Sequence, residues 1–133
     1  GVTLQTGTFD VVGMRTASTD ADRGSWTYAF NSLGERASQT DANSKTTTWT
    51  YDALGRMTQR QEPIDTGTAT ATWTWGTAAD NSASNKYIGR LKSHSISGTV
   101  YLTTYTETNT YDQYGRLVQT KYTDGSGPTD YYV

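Results

Sequence analysis

A short pattern returns along this chain at a spacing near 21 residues. A chain with such a period is an array of one repeated supersecondary unit, and that decides its fold before any residue is weighed singly. The fullest copies are Trp49-Thr50-Tyr51-Asp52-Ala53-Leu54-Gly55-Arg56-Met57 and Asn109-Thr110-Tyr111-Asp112-Gln113-Tyr114-Gly115-Arg116-Leu117. They share Tyr-Asp-x-x-Gly-Arg and then an apolar residue. Twenty-one residues before Tyr51 comes Phe30-Asn31-Ser32-Leu33-Gly34, and 21 before that Phe9-Asp10-Val11-Val12-Gly13. A more degenerate copy opens with Trp73-Thr74-Trp75-Gly76 and delays its second half to Gly89-Arg90-Leu91; the loop composition of residues 78–85 predicts an elongated hairpin from Trp75 to Gly89. Asp130-Tyr131-Tyr132 arrives on phase as the start of a truncated sixth unit near 130–133. The chain therefore reads as one array over 1–133, with units near 9–15, 30–36, 51–57, 73–91 and 111–117.

The chemistry of one unit explains why these residue types recur. Residues Thr46 to Tyr51 alternate, placing Thr47, Trp49 and Tyr51 on one strand face and Thr46, Thr48 and Thr50 on the other. The Asp at the head of the turn accepts backbone N–H bonds, and the Gly at its fourth position takes φ > 0, as a type I turn closing through a G1 bulge requires. That geometry pairs Asp52 with Arg56 and Tyr51 with Met57. Each unit is a hairpin with one adhesive face, too small to stand alone, and stacking hairpins side by side is the remedy. The expected fold is all-β: a curved or spiralling antiparallel sheet of about ten strands with turns at Asp10 to Gly13, Asn31 to Gly34, Asp52 to Gly55 and Asp112 to Gly115. In the first two units Met14 and Glu35 stand where the motif has Arg, and Arg15 and Arg36 where it has an apolar residue. Those substitutions predict wetter faces or shifted registers there.

Composition supports a β reading. The 133 residues include 27 threonines and 16 aromatics, both strand-favouring, with a formal charge of only −2. Disordered chains are instead poor in such residues. The scattered basic residues argue against nucleic acid. With no cysteine there is no disulfide or thiolate site. No run is apolar enough to insert in a membrane as a helix, and the absence of a leader at Gly1 suggests an excised segment.

The Tyr-Asp-x-x-Gly-Arg-apolar core at Tyr51 to Met57 and Tyr111 to Leu117, recurring at this spacing, resembles the YD or RHS repeat family of bacterial RHS proteins, insecticidal toxin-complex shells, wall-associated proteins and animal teneurins. The resemblance implies hairpins joined edge to edge in a spiralling sheet, part of a hollow β-shell that encloses a polypeptide such as a C-terminal toxin domain, in a secreted or cell-surface bacterial protein. It implies a structural role for Phe9, Asp10, Gly13, Phe30, Asn31, Gly34, Tyr51, Asp52, Gly55, Arg56, Trp75, Gly89, Arg90, Leu91, Tyr111, Asp112, Gly115, Arg116 and Leu117. It also implies neighbouring repeats as partners, and no enzyme activity. The Asp-Pro-x-Gly-Leu segment that precedes self-cleavage in some members is absent.

Other chemistry is thin. Asp65-Thr66-Gly67 matches the aspartic protease triplet, but follows Glu62-Pro63 and has no second copy. His94, the single histidine, reads as a surface strand position. Asp20, Asp22, Asp41 and Asn43 offer oxygens without calcium-loop spacing. Gly125-Ser126-Gly127 lacks the following Lys-Ser or Lys-Thr of a phosphate cradle. Neither a catalytic residue nor a metal or other cofactor is expected. The series Phe9, Phe30, Tyr51, Trp75 and Tyr111 has two readings: a structural ladder in which each ring stacks on that of the next hairpin, or an exposed platform for carbohydrate. Uncapped edge strands and a wet aromatic face predict self-association of the isolated chain.

Overall fold

The computed structural model describes residues 5–98 and 104–125; the sixth unit near 130–133 and most of the Gly125-Ser126-Gly127 turn lie outside them. Ten strands follow in order: β1 (Gln5–Phe9), β2 (Arg15–Asp20), β3 (Gly24–Phe30), β4 (Arg36–Thr40), β5 (Thr46–Tyr51), β6 (Met57–Ile64), β7 (Gly67–Trp75), β8 (Leu91–Ser97), β9 (Thr104–Tyr111) and β10 (Leu117–Asp124). Each hydrogen-bonds its sequence neighbours, giving one antiparallel sheet in the order β1 to β10. Among the described residues the sheet is open and uncurled, with β1 and β10 as its edges.

A meander sends alternate turns to opposite rims. The β1–β2, β3–β4, β5–β6, β7–β8 and β9–β10 turns share one rim, and these are the turns that carry the repeated motif. In each, the strand pair slips by one residue next to the motif aromatic, which leaves Phe9 opposite Arg15, Phe30 opposite Arg36, Tyr51 opposite Met57, Trp75 opposite Leu91 and Tyr111 opposite Leu117. The register shift expected for the first two units does not occur. The exposed tips on this rim are apolar: Val11, Val12, Leu33, Leu54, Ile88 and Tyr114.

Cross-strand partners share a face, so the registers sort every strand residue. One face gathers the rings: Phe9, Trp26, Tyr28, Phe30, Trp49, Tyr51, Trp73, Trp75, Tyr105, Tyr111 and Tyr122. The other is a field of hydroxyls, with Thr46, Thr48 and Thr50 on β5, Thr68, Thr70, Thr72 and Thr74 on β7, Ser93, Ser95 and Ser97 on β8, and Thr104, Thr106, Thr108 and Thr110 on β9. Neighbouring hydroxyls bond across it, as Thr50 and Thr58 do at 3.0 Å and Thr40 and Thr46 at 2.8 Å.

A single-layer sheet has almost no interior. Among the described residues the buried ones are Ala69, Ala71, Gly76 and Tyr111, with Ser18, Asn109 and Thr120 among the polar ones. Cohesion therefore rests on the hydrogen-bond ladder and on cross-strand side-chain pairs, each worth roughly 0.2–1 kcal/mol.

Candidate functional site: the contact between successive hairpins

The motif turn is built from its first residue. Asp52 accepts at Oδ1 from the N–H groups of Leu54 (2.9 Å) and Arg56 (3.0 Å), while its N–H donates to the Arg56 carbonyl at 2.9 Å. Gly55 closes the turn by donating to the Asp52 carbonyl at 3.0 Å with φ of 75°. Asp112, with Gly115 and Arg116, repeats this bond for bond, and Asp10 with Gly13 keeps the backbone part. Arg56 and Arg116 then return Nε to the second carboxylate oxygen, each at 2.7 Å. The Arg56 guanidinium holds the Asp52 carboxyl below the usual carboxylate range, and amide and guanidinium donors from Arg116 do the same for Asp112.

The second unit inverts this pair. Asn31 still accepts from Leu33 and Glu35 N–H groups, both at 3.0 Å, but its Nδ2 now donates to Glu35 Oε2 at 2.7 Å. The donor sits at the turn head and the acceptor four residues on, the reverse of Asp52 and Arg56.

The degenerate unit keeps the same closure around an insertion. Gly76 donates to the Arg90 carbonyl at 2.8 Å and accepts from Gly89 at 3.0 Å, so Gly76 takes the place of the turn Asp. Residues 77–88 fill the space that Ala53 and Leu54 fill elsewhere. The inserted loop begins with the short 3-10 turn Ala78–Asp80, and reaches the following hairpin through a Lys86 N–H bond to the Asp112 carbonyl at 3.2 Å and an edge contact of Tyr87 on Tyr111 at 5.5 Å.

The contact between hairpins is made at the motif aromatic. Tyr51 donates its hydroxyl to the Arg36 carbonyl (3.0 Å), Trp75 its Nε1–H to that of Met57 (2.8 Å), and Tyr111 its hydroxyl to that of Leu91 (2.9 Å). Each acceptor is the residue that stands opposite the preceding unit's aromatic. A hydrogen bond of this kind contributes about 1 kcal/mol. Burial raises the Tyr51 and Tyr111 hydroxyl pKa values, which keeps both protonated as donors.

A second contact is made by the residue after the motif glycine. Arg56 lies over the Trp75 ring (4.9 Å) and Arg90 over that of Tyr111 (5.7 Å), with Arg90 Nε donating to the Gly115 carbonyl at 2.6 Å. A Cβ on Gly115 would collide with that guanidinium, one on Gly55 would come within 2.8 Å of Glu35 Oε1, and one on Gly34 within 2.5 Å of Met14 Cε. The motif glycine thus supplies a left-handed backbone to its own turn and room for the preceding unit's side chain.

The sequence expectation of ring stacked on ring is not what holds Phe9, Phe30, Tyr51, Trp75 and Tyr111: among the described residues these five make no ring contact with one another. Motif aromatics stand two strands apart, too far for stacking, so ring tips and guanidiniums cross the gap. Stacked and edge contacts run instead from Trp73 to His94 (4.9 Å), His94 to Tyr105 (6.5 Å) and Tyr105 to Tyr122 (6.1 Å), one strand to the next. His94 is accordingly partly covered by its ring neighbours rather than freely exposed. The bulge beside Trp75 sets it opposite Trp73 on the aromatic face, half-buried, with no partner for Nε2 among the described residues. Arginine replaces the expected apolar residue by stacking, Arg15 over Phe9 (5.6 Å) and Arg36 over Tyr28 (5.1 Å).

The remaining candidates are turn residues. Asp65 and Thr66 form the two-residue loop between Ile64 and Gly67, with the Asp65 side chain 93% exposed. Asp20 accepts from Asp22 and Arg23 N–H groups, and Asp41 from those of Asn43 and Lys45. Asp41, Ser44 and Lys45 repeat the motif closure on the opposite rim, with Ser44 at φ of 61° where the motif has glycine.

Residues 30–63, which hold two of these turns and the Tyr51 bond between them, match the family model described as RHS Repeat. Over that stretch the chain is similar to an RHS repeat. No curated protein sequence matches it. Among solved structures, the crystal structure of TcdB2-TccC3-TEV is similar over 97% of this chain at 14% identity with a TM-score of 0.56. That of TcdB2-TccC3-Cdc42 is similar over 93% at 16% identity with a TM-score of 0.50. At such identities the likeness is one of fold: the antiparallel sheet here has counterparts in those proteins. The chain spans 8% of the length of each.

Proposed function

We propose that this RHS array is a length of wall in a larger secreted bacterial protein, that its five complete units near 9–15, 30–36, 51–57, 73–91 and 111–117 are the structural courses of that wall, and that the finished wall encloses a polypeptide. The observation that carries the reading is the rim of exposed apolar tips, Val11, Val12, Leu33, Leu54, Ile88 and Tyr114, on a single-layer sheet whose described strands end at β1 and β10. A rim of that kind calls for cover, and a further turn of the same sheet supplies it. The motif residues suit this role: their polar tips and guanidiniums are engaged in binding hairpin to hairpin. Similarity of fold to proteins whose structures carry the names TcdB2-TccC3-TEV and TcdB2-TccC3-Cdc42 supports a wall over an enzyme.

Limited proteolysis of the whole parent protein tests enclosure. The enclosed polypeptide resists protease while the wall is intact and becomes sensitive when the wall is opened by substitution at Tyr51 and Tyr111; equal sensitivity in both states refutes enclosure. For the isolated chain, edges and rim predict self-association, read by sedimentation at micromolar concentration. Reproducible sugar binding on a glycan array, lost in Tyr51→Ala or Trp75→Ala with the sheet intact, establishes a carbohydrate-binding module instead.

A further inference from the structure

The aromatic face is not uniform along the sheet. At its β1 to β4 end a groove of about 320 Å³ is lined by Arg15, Arg23 and Arg36, with Trp26, Tyr28 and Gln39 beside them. Among the described residues none of these three arginines has an ion pair, whereas Arg56, Arg60 and Arg116 each meet a carboxylate. The single acid in the groove, Asp20, turns Oδ1 to the N–H groups of Asp22 and Arg23 at 2.9 and 3.0 Å.

We infer that this groove binds acidic side chains of an extended peptide, so that it is a docking point on the wall for the enclosed polypeptide; this rests on the wall reading above. Three features favour that ligand. Arg36 covers Tyr28 in the groove and Arg15 covers Phe9 outside its lining, so of the groove's two rings only Trp26 stands without a guanidinium over it. Lying flat on a ring leaves the in-plane N–H groups of Arg15 available for bidentate contact with a carboxylate, and those of Arg36 apart from its Nη1 bond to Gln39 Oε1 at 2.9 Å. The cations come from the start of β2, the β2–β3 turn and the start of β4, a spread that matches several carboxylates along a chain better than one compact anion. Gly7 adds access: a Cβ there would come within 3.3 Å of Arg15 Nε, and glycine leaves that approach open from the edge strand.

The test is fluorescence anisotropy of a labelled oligoglutamate peptide with the 133-residue chain, with an uncharged peptide of equal length and an oligogalacturonate as comparison probes. Saturable, salt-sensitive binding of oligoglutamate is expected, about tenfold weaker in Arg15→Gln and again in Arg23→Gln. Lys45→Gln, outside the groove, leaves it unchanged. Arg23 is exposed on a turn, and its carbonyl, which accepts from Trp26 Nε1 at 3.0 Å, survives substitution. Unaltered circular dichroism therefore keeps the comparison sound. An equal loss in Lys45→Gln, tighter binding of the oligogalacturonate, or no saturable binding overturns the inference. Protease sensitivity of the cargo with peptide binding intact refutes the wall reading alone, and protected cargo without peptide binding refutes the groove alone.

Discussion

Tyr111 donates its hydroxyl to the carbonyl oxygen of Leu91 at 2.9 Å, and Leu91 is the cross-strand partner of Trp75. One phenol thereby ties its own hairpin to the residue that faces the preceding hairpin's aromatic. Tyr111→Phe removes the bond and nothing else; a loss of about 1 kcal/mol is expected in urea denaturation. The reciprocal change, Phe30→Tyr, places a hydroxyl where the pattern directs it at Arg15 and is expected to stabilise by a similar amount. A neutral Phe30→Tyr alongside a destabilising Tyr111→Phe would show that the first hairpin is set differently.

The inverted pair at Asn31 and Glu35 makes a double-mutant cycle informative. Asn31→Asp sets two carboxylates where an amide now donates, and is expected to destabilise by about 0.5–1 kcal/mol. Adding Glu35→Arg recreates the pairing of Asp52 with Arg56 and is expected to recover that loss. A coupling energy near zero would deny that the pair acts as a unit.

Gly13 and Gly115 have nearly the same backbone, φ of 84° and 76°, but only Gly115 has a side chain packed above it, that of Arg90. Alanine at either position meets the left-handed penalty of about 1–2 kcal/mol. Gly115→Ala is expected to exceed Gly13→Ala by about another 1 kcal/mol for displacing Arg90. Equal costs would assign the glycine requirement to the turn alone.

Acid weakens the inserted loop. Lys92, with the N–H and hydroxyl of Thr77, holds the Asp80 pKa down to about 2 from an ordinary 3.8. The folded value lies below the unfolded one, so this stabilisation is complete above the ordinary value and is lost as pH falls through it toward about 2. Asp80→Asn is expected to lower stability at neutral pH and flatten the acid limb, with the remaining slope carried by Asp20, Asp52 and Asp112. Urea midpoints measured across that range decide it; an unchanged slope refutes the assignment.

Ser44 occupies the left-handed position of the β4–β5 turn at φ of 61°. Ser44→Gly relieves that strain and is expected to stabilise by about 0.5–1 kcal/mol, less than the full left-handed penalty because glycine also loosens the unfolded chain.

The turns were legible because their chemistry admits few residues: Asp52 must accept amides and Gly55 must tolerate φ > 0, so both stand out in any sequence. The contacts between hairpins were not. Alternation assigns Trp75 to a face, but says nothing of how far its nearest ring neighbour lies, and so ring stacking was expected where a bond from Nε1 to the Met57 carbonyl is found. His94 looked exposed because a lone polar residue in a serine-rich strand resembles its neighbours; one bulged residue beside Trp75 turned it to the aromatic side. The substitution of Arg15 and Arg36 for apolar residues pointed to wetter faces or a shifted register, since composition does not show that a guanidinium can lie flat where a methionine would.

Residues 77–88 replace two turn residues, yet the closing bonds of Gly76 with Arg90 and Gly89 keep the geometry of the shorter units. Length added at that point never enters the ladder, so the sheet carries an insertion without noticing it. Every unit offers the same opening at the same rim. Variation among descendants of such an array is free to accumulate there as new decoration while the strands stay under constraint, and a lineage can change what this sheet displays long before it changes how the sheet is built.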